Sequence, residues 1–492
     1  MDAADDGAST GAYCYIEGNQ VYCVPLEEYN GRKVVDNAAS RVDVSDVFPN
    51  KLHLKKNLLY SLNNPSLSDA ENVSGLVSGT ESEDDAPHAE NNNNKGESSH
   101  ALYFPKYVLN LQENLDTNFA ELKQLLAKVM SWDSSDDVSV ERLTGGITNM
   151  LLKCHHKPSG RQLLCRVYGH GTNLIIDRHR EFVSQLHLHA LGLAPPVHCR
   201  FKNGVIYGFF PGRSLKPIEL PNPHIYPLVA EQLGLWHRRI DTHLIEVGVA
   251  KVRQFSKRKD PRKKEGKRKP KKRFISNVWE LIEEWIAIVP VRTELVESFA
   301  DHLPGVEVSA ENIKEVIAAE FAWVRKTLGS SASPVVSCHC DLLSGNVIIP
   351  ANYTIAEASA PVPPLPKPED NPIRFIDYEY MLPAPRAFDI ANHLAEWQGF
   401  DCNRDAIPVP SKSNPVMRQF VTGYLQGVAT DKDIDGLIDE IQAFYGLPGF
   451  YWGIWAMIQS EISNIDFEYA KYAAARLDEY WSWKQAYTAK SE

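Results

Sequence analysis

The chain has no apolar run that approaches the roughly 20 residues needed to cross a bilayer. Its most apolar stretch, residues 447–458, is short and includes Pro448 and Gly449, so we expect a buried helix there. The first ten residues are acidic and have no apolar core, which argues against a secretory signal. Together these absences predict a cytoplasmic protein.

Cysteine is also sparse, with 8 scattered among 492 residues. Cys14 with Cys23, and Cys338 with Cys340, are close in sequence, but neither pair has the second pair that a structural zinc site would need. With no secretory signal, this pattern predicts free thiols in a reducing compartment.

Positive charge is in the minority and is concentrated in one place. Residues 251–273 hold fourteen Lys and Arg against two acids, a net +12 that leaves −23 for the rest of a chain whose total is −11. Pro261, Gly266 and Pro270 would break a helix, so we expect an inserted, exposed loop. Such a loop could bind an anionic membrane or a polyanion or act as a nuclear import signal; a solvated loop with no partner is the alternative. No specific nucleic-acid partner is predicted.

The segment 61–99 is poor in apolar residues and rich in Ser, Asn, Asp and Glu. Because it cannot bury enough apolar surface to offset the entropy of ordering, residues 1–100 are predicted to be a largely disordered N-terminal extension. A hairpin around Gly18 and Asn19 is expected within it, and would be marginal alone. The folded chain should begin near residue 101, and a Pro-rich insertion should occupy residues 351–372.

Two short polar signatures in the second half of the chain indicate its chemistry. Residues 339–346 place Asp341 and Asn346 in a loop between two short apolar runs, and a later strand ends at Asp377. Phosphoryl transfer to a hydroxyl needs one carboxylate to orient the hydroxyl, and an amide and a second carboxylate to hold magnesium against the phosphates. We therefore assign Asp341 the base role, and Asn346 and Asp377 the metal role.

These signatures resemble the motifs of the choline/ethanolamine kinase family. The matching segments are His-Cys-Asp-Leu-Leu-Ser-Gly-Asn at 339–346, Ile-Asp-Tyr-Glu-Tyr at 376–380 and Phe-Asp-Ile-Ala-Asn-His-Leu-Ala-Glu-Trp at 388–397. One departure is Cys340, where the family more often has Asn. The resemblance implies an α+β, protein-kinase-like two-lobed fold, with a small β-rich N-lobe at residues 101–212 and a large, mostly helical C-lobe at 213–492.

The resemblance also implies an ATP site. The residues implied to contact ATP are Gly145, Gly146, Asn149, Arg166, Glu181 and Phe209. The two glycines lie in a strand–turn–strand pattern that would leave amides free for phosphate oxygens, although such a turn is often only structural. Arg166 stands where protein kinases have the phosphate-binding Lys, and Glu181 would hold it, unless the two form an ordinary surface ion pair. Phe209 follows the strand to the inter-lobe hinge, where Gly208 replaces the Glu that the family often has.

The acceptor pocket is implied near the end of the chain. The residues implied to bind the acceptor are Trp452, Trp455, Phe467, Tyr472, Glu379 and Glu396. Spacing alone favours a core position for the two Trp, which share one helical face, but the family encloses the amine head of its acceptor with matching aromatics. Aromatic faces attract a cation by about 0.5–2 kcal/mol each, and the acids would add negative charge.

Asp389 admits two interpretations. It shares one helical face with Asn392, His393 and Glu396, so it either holds the catalytic loop or contacts the metal.

The resemblance thus implies ATP-dependent phosphorylation of ethanolamine to phosphoethanolamine in phospholipid head-group synthesis, the CDP-ethanolamine pathway, with Mg²⁺ as cofactor. A choline kinase or a dual choline/ethanolamine kinase is the alternative. An aminoglycoside-type phosphotransferase or an inactive binding protein remains as a further candidate. The substrate would be a small amino alcohol.

Overall fold

A computed structural model describes residues 11–17, 20–26, 99–110, 115, 117–143, 149–169, 172–257, 275–427, 429–463 and 465–489. Its strands are β1 (Ala12–Glu17), β2 (Gln20–Pro25), β3 (His100–Phe104), β4 (Val138–Leu143), β5 (Asn149–His156), β6 (Arg161–Tyr168), β7 (Val197–Phe201), β8 (Gly204–Gly208), β9 (Arg213–Ser214), β10 (Val335–Cys338), β11 (Val347–Ile349), β12 (Arg374–Phe375) and β13 (Leu382–Pro385). Its longer helices are α1 (Ala120–Met130), α2 (Arg178–Ala190), α3 (Tyr226–Arg239), α4 (Thr242–Ser256), α5 (Val278–Ile288), α6 (Thr293–His302), α7 (Ile313–Gly329), α8 (Arg386–Ala395), α9 (Pro415–Tyr424), α10 (Asp431–Phe444), α11 (Leu447–Ile462) and α12 (Tyr469–Ala489).

The chain divides into two compact units. Of the described residues, those from 11 to 211 and from 243 to 257 form the first unit, and those from 212 to 242 and from 275 to 489 form the second. The first contains an eight-stranded sheet in the order β2-β1-β3-β7-β8-β6-β5-β4. Neighbouring strands are antiparallel except β3 and β7, which are parallel.

The buried side chains that alternate along β5 and β6 show which face of this sheet is covered by α1. Leu152 and Cys154 on β5, and Leu163 and Cys165 on β6, are spaced two apart and so project from one face. They form one buried cluster with Leu122, Leu125 and Leu126 of α1. Helices α2 and α4 belong to the same unit, where the ring of Tyr103 on β3 lies 5.6 Å from Phe182 and 6.1 Å from Phe255.

The N-terminal hairpin belongs to this sheet, which differs from the boundary predicted near residue 101. β1 pairs with β2 on one side and with β3 on the other. Ala12, Cys14, Ile16 and Val21 are at most 5% exposed. The hairpin gains a third strand as a neighbour, which is what an isolated hairpin lacks in water. Residues 27–98, which carry most of the predicted disorder, lie outside the described residues.

The basic run also begins differently from the prediction. Helix α4 continues to Ser256, so residues 251–256 are helical, and the structure groups them with the first unit rather than with a C-lobe of residues 213–492. The remainder of the run, from residue 258 to 273, lies outside the described residues. Among the described helices, none is both long and apolar enough to cross a membrane.

The second unit is mainly helical, with two small sheets. β10 pairs with β13, and β11 lies between β12 and β9. Helices α11 and α12 pack closely because Gly449 and Gly453 present no side chain to the partner helix. A Cβ at Gly449 would collide with the backbone oxygen of Arg476, and one at Gly453 would collide with the side chain of Leu477.

Candidate active site

The predicted catalytic loop follows β10 and leads through a 3₁₀ helix, Ser344–Asn346, into β11. The loop doubles back on itself because the Nδ2 of Asn346 donates to the backbone oxygen of Asp341 at 2.7 Å and to its Oδ2 at 3.2 Å. Both side chains are buried, at 8% exposure each. The amide therefore turns its Nδ2 toward the acid and presents its Oδ1 on the other side.

Asp377 is joined to the same loop through the backbone. The N–H of Ile376, just after β12, donates to the backbone oxygen of Asn346 at 3.0 Å. Asp377 itself has a φ of 65°, in the left-handed region that few non-glycine residues occupy. Such backbone conformations concentrate at functional sites, where the surrounding structure enforces them.

The charge around Asp341 is strongly negative. Burial raises the pKa of Asp341 well above its usual value, and the nearby charges of Asp377, Glu396 and Glu379 raise it further. The hydrogen bond from Asn346 acts in the opposite direction. Four acids and an amide therefore lie close together, an oxygen-rich set of the kind that Mg²⁺ selects.

Asp389 holds the catalytic loop, which favours the first of its two interpretations. Its Oδ2 accepts from the backbone N–H of His339 at 2.8 Å and pairs with the Nε2 of His237 at 2.9 Å, and its Oδ1 accepts from the N–H of Cys340 at 2.8 Å. Its exposure is 0%. Burial alone would raise the pKa of Asp389, but His237 and these other partners lower it, so the carboxylate stays charged.

Two further side chains on the same face of α8 fix the loop. Asn392 donates through Nδ2 to the backbone oxygen of Cys340 at 3.0 Å, and His393 donates through Nδ1 to that of Leu342 at 2.8 Å. Burial lowers the pKa of His393 to about 4, so its Nε2 can accept from the indole N–H of Trp397 at 3.4 Å. Residues at i, i+3 and i+4 of one helix thus hold the backbone of the loop between residues 339 and 342.

The predicted aromatics come together as one cluster. Trp452 and Trp455 have ring centroids 5.2 Å apart, and Phe467 and Tyr472 have centroids 5.6 Å apart. Tyr469 connects the two pairs, at 6.1 Å from Trp455 and 4.9 Å from Phe467. All are joined in a chain of tilted or edge-on contacts, the geometry that aromatic quadrupoles favour.

Tyr380 joins this aromatic cluster to the acids. Its hydroxyl accepts from the indole N–H of Trp455 at 2.8 Å, and its ring lies 5.8 Å from that of Trp452. It follows Glu379 directly in the chain. Trp452 is 5% exposed and donates to the Oδ1 of Asn392 at 2.7 Å, so it is also part of the core, as its spacing alone suggested.

Glu396 has a partner that its predicted role did not foresee. Its Oε1 accepts from the Nη1 of Arg476 at 3.0 Å, and Arg476 is 0% exposed. Glu479 lies on the other side, with its Oε2 at 3.3 Å from the Nε of Arg476. Two carboxylates around one guanidinium leave a net negative charge, so Glu396 contributes to the field as part of a group and not as an isolated anion.

In the first unit, Arg166 and Glu181 form the predicted pair. The Nη1 of Arg166 on β6 lies 3.6 Å from the Oε1 of Glu181 on α2. Arg178 approaches the other oxygen of Glu181 at 3.0 Å and donates to the Oγ1 of Thr172 at 2.9 Å. The side chain of Arg166 is 13% exposed and that of Glu181 6%, so this is not an ordinary surface ion pair.

The other predicted ATP contacts are less completely described. Gly145 and Gly146 lie outside the described residues, as does the side chain of Asn149, whose backbone begins β5. Phe209, just after β8, lies with its ring centroid 5.9 Å from the Nζ of Lys153. A Cβ at Gly208 would be 2.9 Å from the Cδ of Pro196, which explains why glycine occupies a position where a larger side chain was expected.

Comparison with known proteins identifies the family of the chain. The family model described as choline/ethanolamine kinase matches residues 140–481. The chain belongs to the choline/ethanolamine kinase family. The match covers the β4–β5 segment, the catalytic loop and the aromatic cluster, and it confirms the family predicted from the motifs.

Individual relatives extend the match to the fold. Ethanolamine kinase 1 of Mus musculus is 29% identical over 368 residues, which cover 73% of this chain and 87% of the relative. The solved structure of a Plasmodium vivax ethanolamine kinase has a TM-score of 0.56 at 27% identity, covering 76% of this chain and 90% of that one. A choline kinase from Cryptosporidium parvum shares the fold, with a TM-score of 0.50 at 18% identity over 75% of this chain and 96% of that one. The predicted protein-kinase-like α+β fold is confirmed.

Two residues of this family member were missed by sequence reasoning for different reasons. Tyr380 stands inside the Ile-Asp-Tyr-Glu-Tyr motif, so attention to its last position would have found it. Arg476 stands 80 positions beyond Glu396, on a helix with no polar periodicity to mark it, and only the folded structure reveals the pair.

Proposed function

We propose that the chain transfers the γ-phosphoryl group of ATP to the hydroxyl of ethanolamine, as the first step of a phospholipid head-group pathway in the cytoplasm. The observation that carries the proposal is the joining of Asp341, Asn346 and Asp377 by one loop and one backbone hydrogen bond. Membership of the choline/ethanolamine kinase family supports the reaction class, and the names of the curated relatives support the acceptor.

Each member of the set has a distinct role in this proposal. Asp341 accepts a hydrogen bond from the acceptor hydroxyl and orients it. The amide of Asn346 holds the carboxylate of Asp341 in position for this role. Asn346 and Asp377 are the ligands for Mg²⁺, which when bound neutralises phosphate charge. The oxygen-rich, negatively charged surroundings of Asp341 fit a divalent cation. Arg166, held by Glu181, binds phosphate oxygens as a fixed cation.

The choice of amine rests on the polar groups beside the aromatic cluster. A primary ammonium carries N–H donors that need acceptors, whereas a quaternary ammonium needs only aromatic faces. Glu379 and the Glu396–Arg476–Glu479 group supply net negative charge next to Tyr380 and Tyr472. These acceptors favour ethanolamine, while the aromatic cluster keeps choline as the second candidate.

A coupled assay that follows ADP release tests the proposal, with ethanolamine, choline and an aminoglycoside as acceptors. We expect turnover with ethanolamine to exceed that with choline, and no turnover with the aminoglycoside. Asp341→Ala should reduce kcat by about 10²–10⁴, the usual contribution of a positioned acid or base. The matched control is Asp301→Ala, which removes an exposed acid from α6 and should change neither kcat nor KM.

Each alternative has its own outcome in this assay. Faster turnover of choline would replace ethanolamine kinase by choline kinase, and turnover of the aminoglycoside would point to an antibiotic phosphotransferase. A wild-type chain that is idle on both amines with MgATP would overturn the proposal in favour of a binding protein.

The basic run is proposed to associate weakly with anionic membranes through charge alone. Its first residues continue α4, and the remainder lies outside the described residues. Sedimentation with phosphatidylserine vesicles should show binding at low salt that disappears at physiological salt, because surface charges are screened within about 8 Å there. Deleting residues 258–273 should abolish this binding; unchanged sedimentation of the deletion variant would refute it.

A further inference from the structure

Two cysteines of the N-terminal hairpin face each other across the strands. Cys14 on β1 and Cys23 on β2 are directly opposite in the antiparallel register. Their Sγ atoms are 2.8 Å apart, which is about 0.8 Å more than the S–S bond of a disulfide. Directly opposed Cβ atoms lie about 4.5–5.5 Å apart in a sheet, and a disulfide needs about 3.5–4.5 Å, so bond formation requires only a small adjustment.

The two thiols differ in their access to solvent. Cys14 is 0% exposed, whereas Cys23 is partly exposed at the edge strand of the sheet. Both lie outside residues 140–481, the part matched by the family model. The pair is therefore separate in sequence from the segment that carries the proposed kinase site.

A buried cation lies close to this pair. Arg200 on β7 is 4% exposed, with its guanidinium carbon 4.8 Å from the ring centroid of Tyr103. Among the described residues, neither its Nε nor its Nη1 has a hydrogen-bond partner. Burial raises the pKa of the Cys14 thiol, and the hydrogen bond with Cys23 and the charge of Cys23 raise it further; the charge of Arg200 opposes that rise. Arg200 thus stabilises negative charge at a sulfur atom more than the burial alone would permit.

We propose that Cys14 and Cys23 form a redox-active dithiol site whose oxidant is a low-molecular-weight disulfide such as oxidised glutathione. The thiolate of Cys23, which solvent reaches, attacks one sulfur of glutathione disulfide and releases one glutathione thiolate. The Sγ of Cys14 gives up its proton and attacks the Sγ of Cys23 in the resulting mixed disulfide. The second glutathione thiolate leaves, so the dithiol loses two electrons and glutathione disulfide gains two.

Oxidation would cross-link the two strands of the hairpin that forms one edge of the sheet. The hairpin contacts α4, where the Nζ of Lys251 donates to the backbone oxygen of Val21 at 2.7 Å and Gly248 lies against the Val21 side chain. A cross-link between β1 and β2 restricts the unfolded chain more than the folded one. The oxidised protein should therefore keep this edge of the sheet paired at temperatures where the reduced hairpin opens.

Redox titration of the full chain tests the site. The protein is equilibrated in buffers with increasing ratios of oxidised to reduced glutathione, its free thiols are alkylated, and its peptides are mapped by mass spectrometry. We expect two thiols to be lost together, both in the peptide that spans residues 11–26, and the midpoint of thermal unfolding to rise by a few degrees. Cys402→Ser, which removes a partly buried thiol of the second unit, should give the same result.

Single substitutions separate the roles of the two thiols. Cys14→Ala should leave Cys23 as a stable mixed disulfide with glutathione, because the sulfur that would displace glutathione is absent. Cys23→Ser should leave Cys14 unmodified, because solvent does not reach it. Retention of all eight thiols across the titration would overturn the proposal, and so would glutathione on Cys14 in Cys23→Ser. Neither outcome depends on the identity of the phosphoryl acceptor.

Discussion

At the scale of single residues, the role proposed for Asp341 opposes the stability of the fold. Its carboxylate is buried, and three neighbouring acids raise its pKa further. A folded pKa above the unfolded one means that the folded chain holds the proton more tightly. The resulting stability is present below the unfolded pKa and is lost as pH rises through the folded pKa. At neutral pH the charged form of Asp341 therefore destabilises the fold.

Replacing this acid by its neutral isostere should separate the two effects. Asp341→Asn keeps an oxygen that can accept from Asn346 and removes the buried charge. We expect kcat for the amine to fall by about 10²–10⁴ while the midpoint of thermal unfolding rises. The rise should be small near pH 4 and larger near pH 7, as followed by circular dichroism. A variant that is less stable than wild type at both pH values would contradict the electrostatic account.

The backbone conformation at Cys340 restricts which residues can occupy this position. Its φ is 64°, in the left-handed region, where Asn is several-fold enriched relative to other non-glycine residues. The Asn that the resemblance leads one to expect at this position would therefore suit the backbone conformation that Cys340 adopts here.

Two substitutions at Cys340 distinguish backbone conformation from packing. Cys340→Val keeps an apolar side chain of similar size but places a β-branched residue at positive φ, which should cost about 1–2 kcal/mol and displace the loop. Cys340→Asn introduces a polar group that adopts this conformation readily. We expect the Asn variant to keep most of the kinase activity and the Val variant to lose most of it. The reverse order would show that packing decides the residue at this position.

At the scale of elements, the sequence predicted those parts of the site that lie close together in the chain. Asp341 and Asn346 are five residues apart, and Asp389, Asn392 and His393 fall on one turn of α8, so loop and helix periodicity sufficed. Glu396 and Arg476 meet across two helices, and no local pattern relates positions 80 residues apart. The hairpin is a similar case, because its partner strand β3 follows only after residues 27–98.

The contact between α8 and the catalytic loop gives a prediction for Asp389. Asn has one side-chain oxygen and one NH₂ group, so in Asp389→Asn the NH₂ group would face the N–H of either Cys340 or His339. Two donors cannot hydrogen-bond to each other, because a backbone N–H cannot become an acceptor. One buried donor loses its partner, at a cost of about 1–3 kcal/mol. Because Asp389 acts through the loop, we expect kcat to fall with little change in the KM for ATP, measured by initial rates.

A matched control for Asp389 removes a carboxylate that holds no loop. Asp435→Asn on α10 breaks a partly exposed pair with Arg418 and should leave both kinetic constants unchanged. Loss of Mg²⁺ affinity in Asp389→Asn, without loss of kcat at saturating metal, would favour the alternative interpretation of Asp389 as a metal ligand.

At the scale of the whole molecule, the family match and the folded unit have different boundaries. The match begins at residue 140, whereas the sheet of the first unit already contains β1, β2 and β3. Composition misplaced this boundary because the hairpin is short and is followed by polar sequence. Its burial depends on β3 and α4, which lie far away in the chain.

Truncation tests whether the hairpin is part of the fold. Removing residues 1–26 would expose the β3 edge and take away Ile16 and Val21, each contributing about 1.5–3 kcal/mol when fully buried. We expect a clearly lower midpoint of thermal unfolding and faster hydrogen exchange in β3 and α4. Removing residues 1–10 keeps the hairpin and is the matched control. The catalytic loop belongs to the second unit, and Arg166 lies on β6, whose neighbours in the sheet are β8 and β5. We therefore expect kcat measured well below the midpoint to persist in both variants. Equal midpoints for the two truncations would show that the sheet is complete without its first two strands.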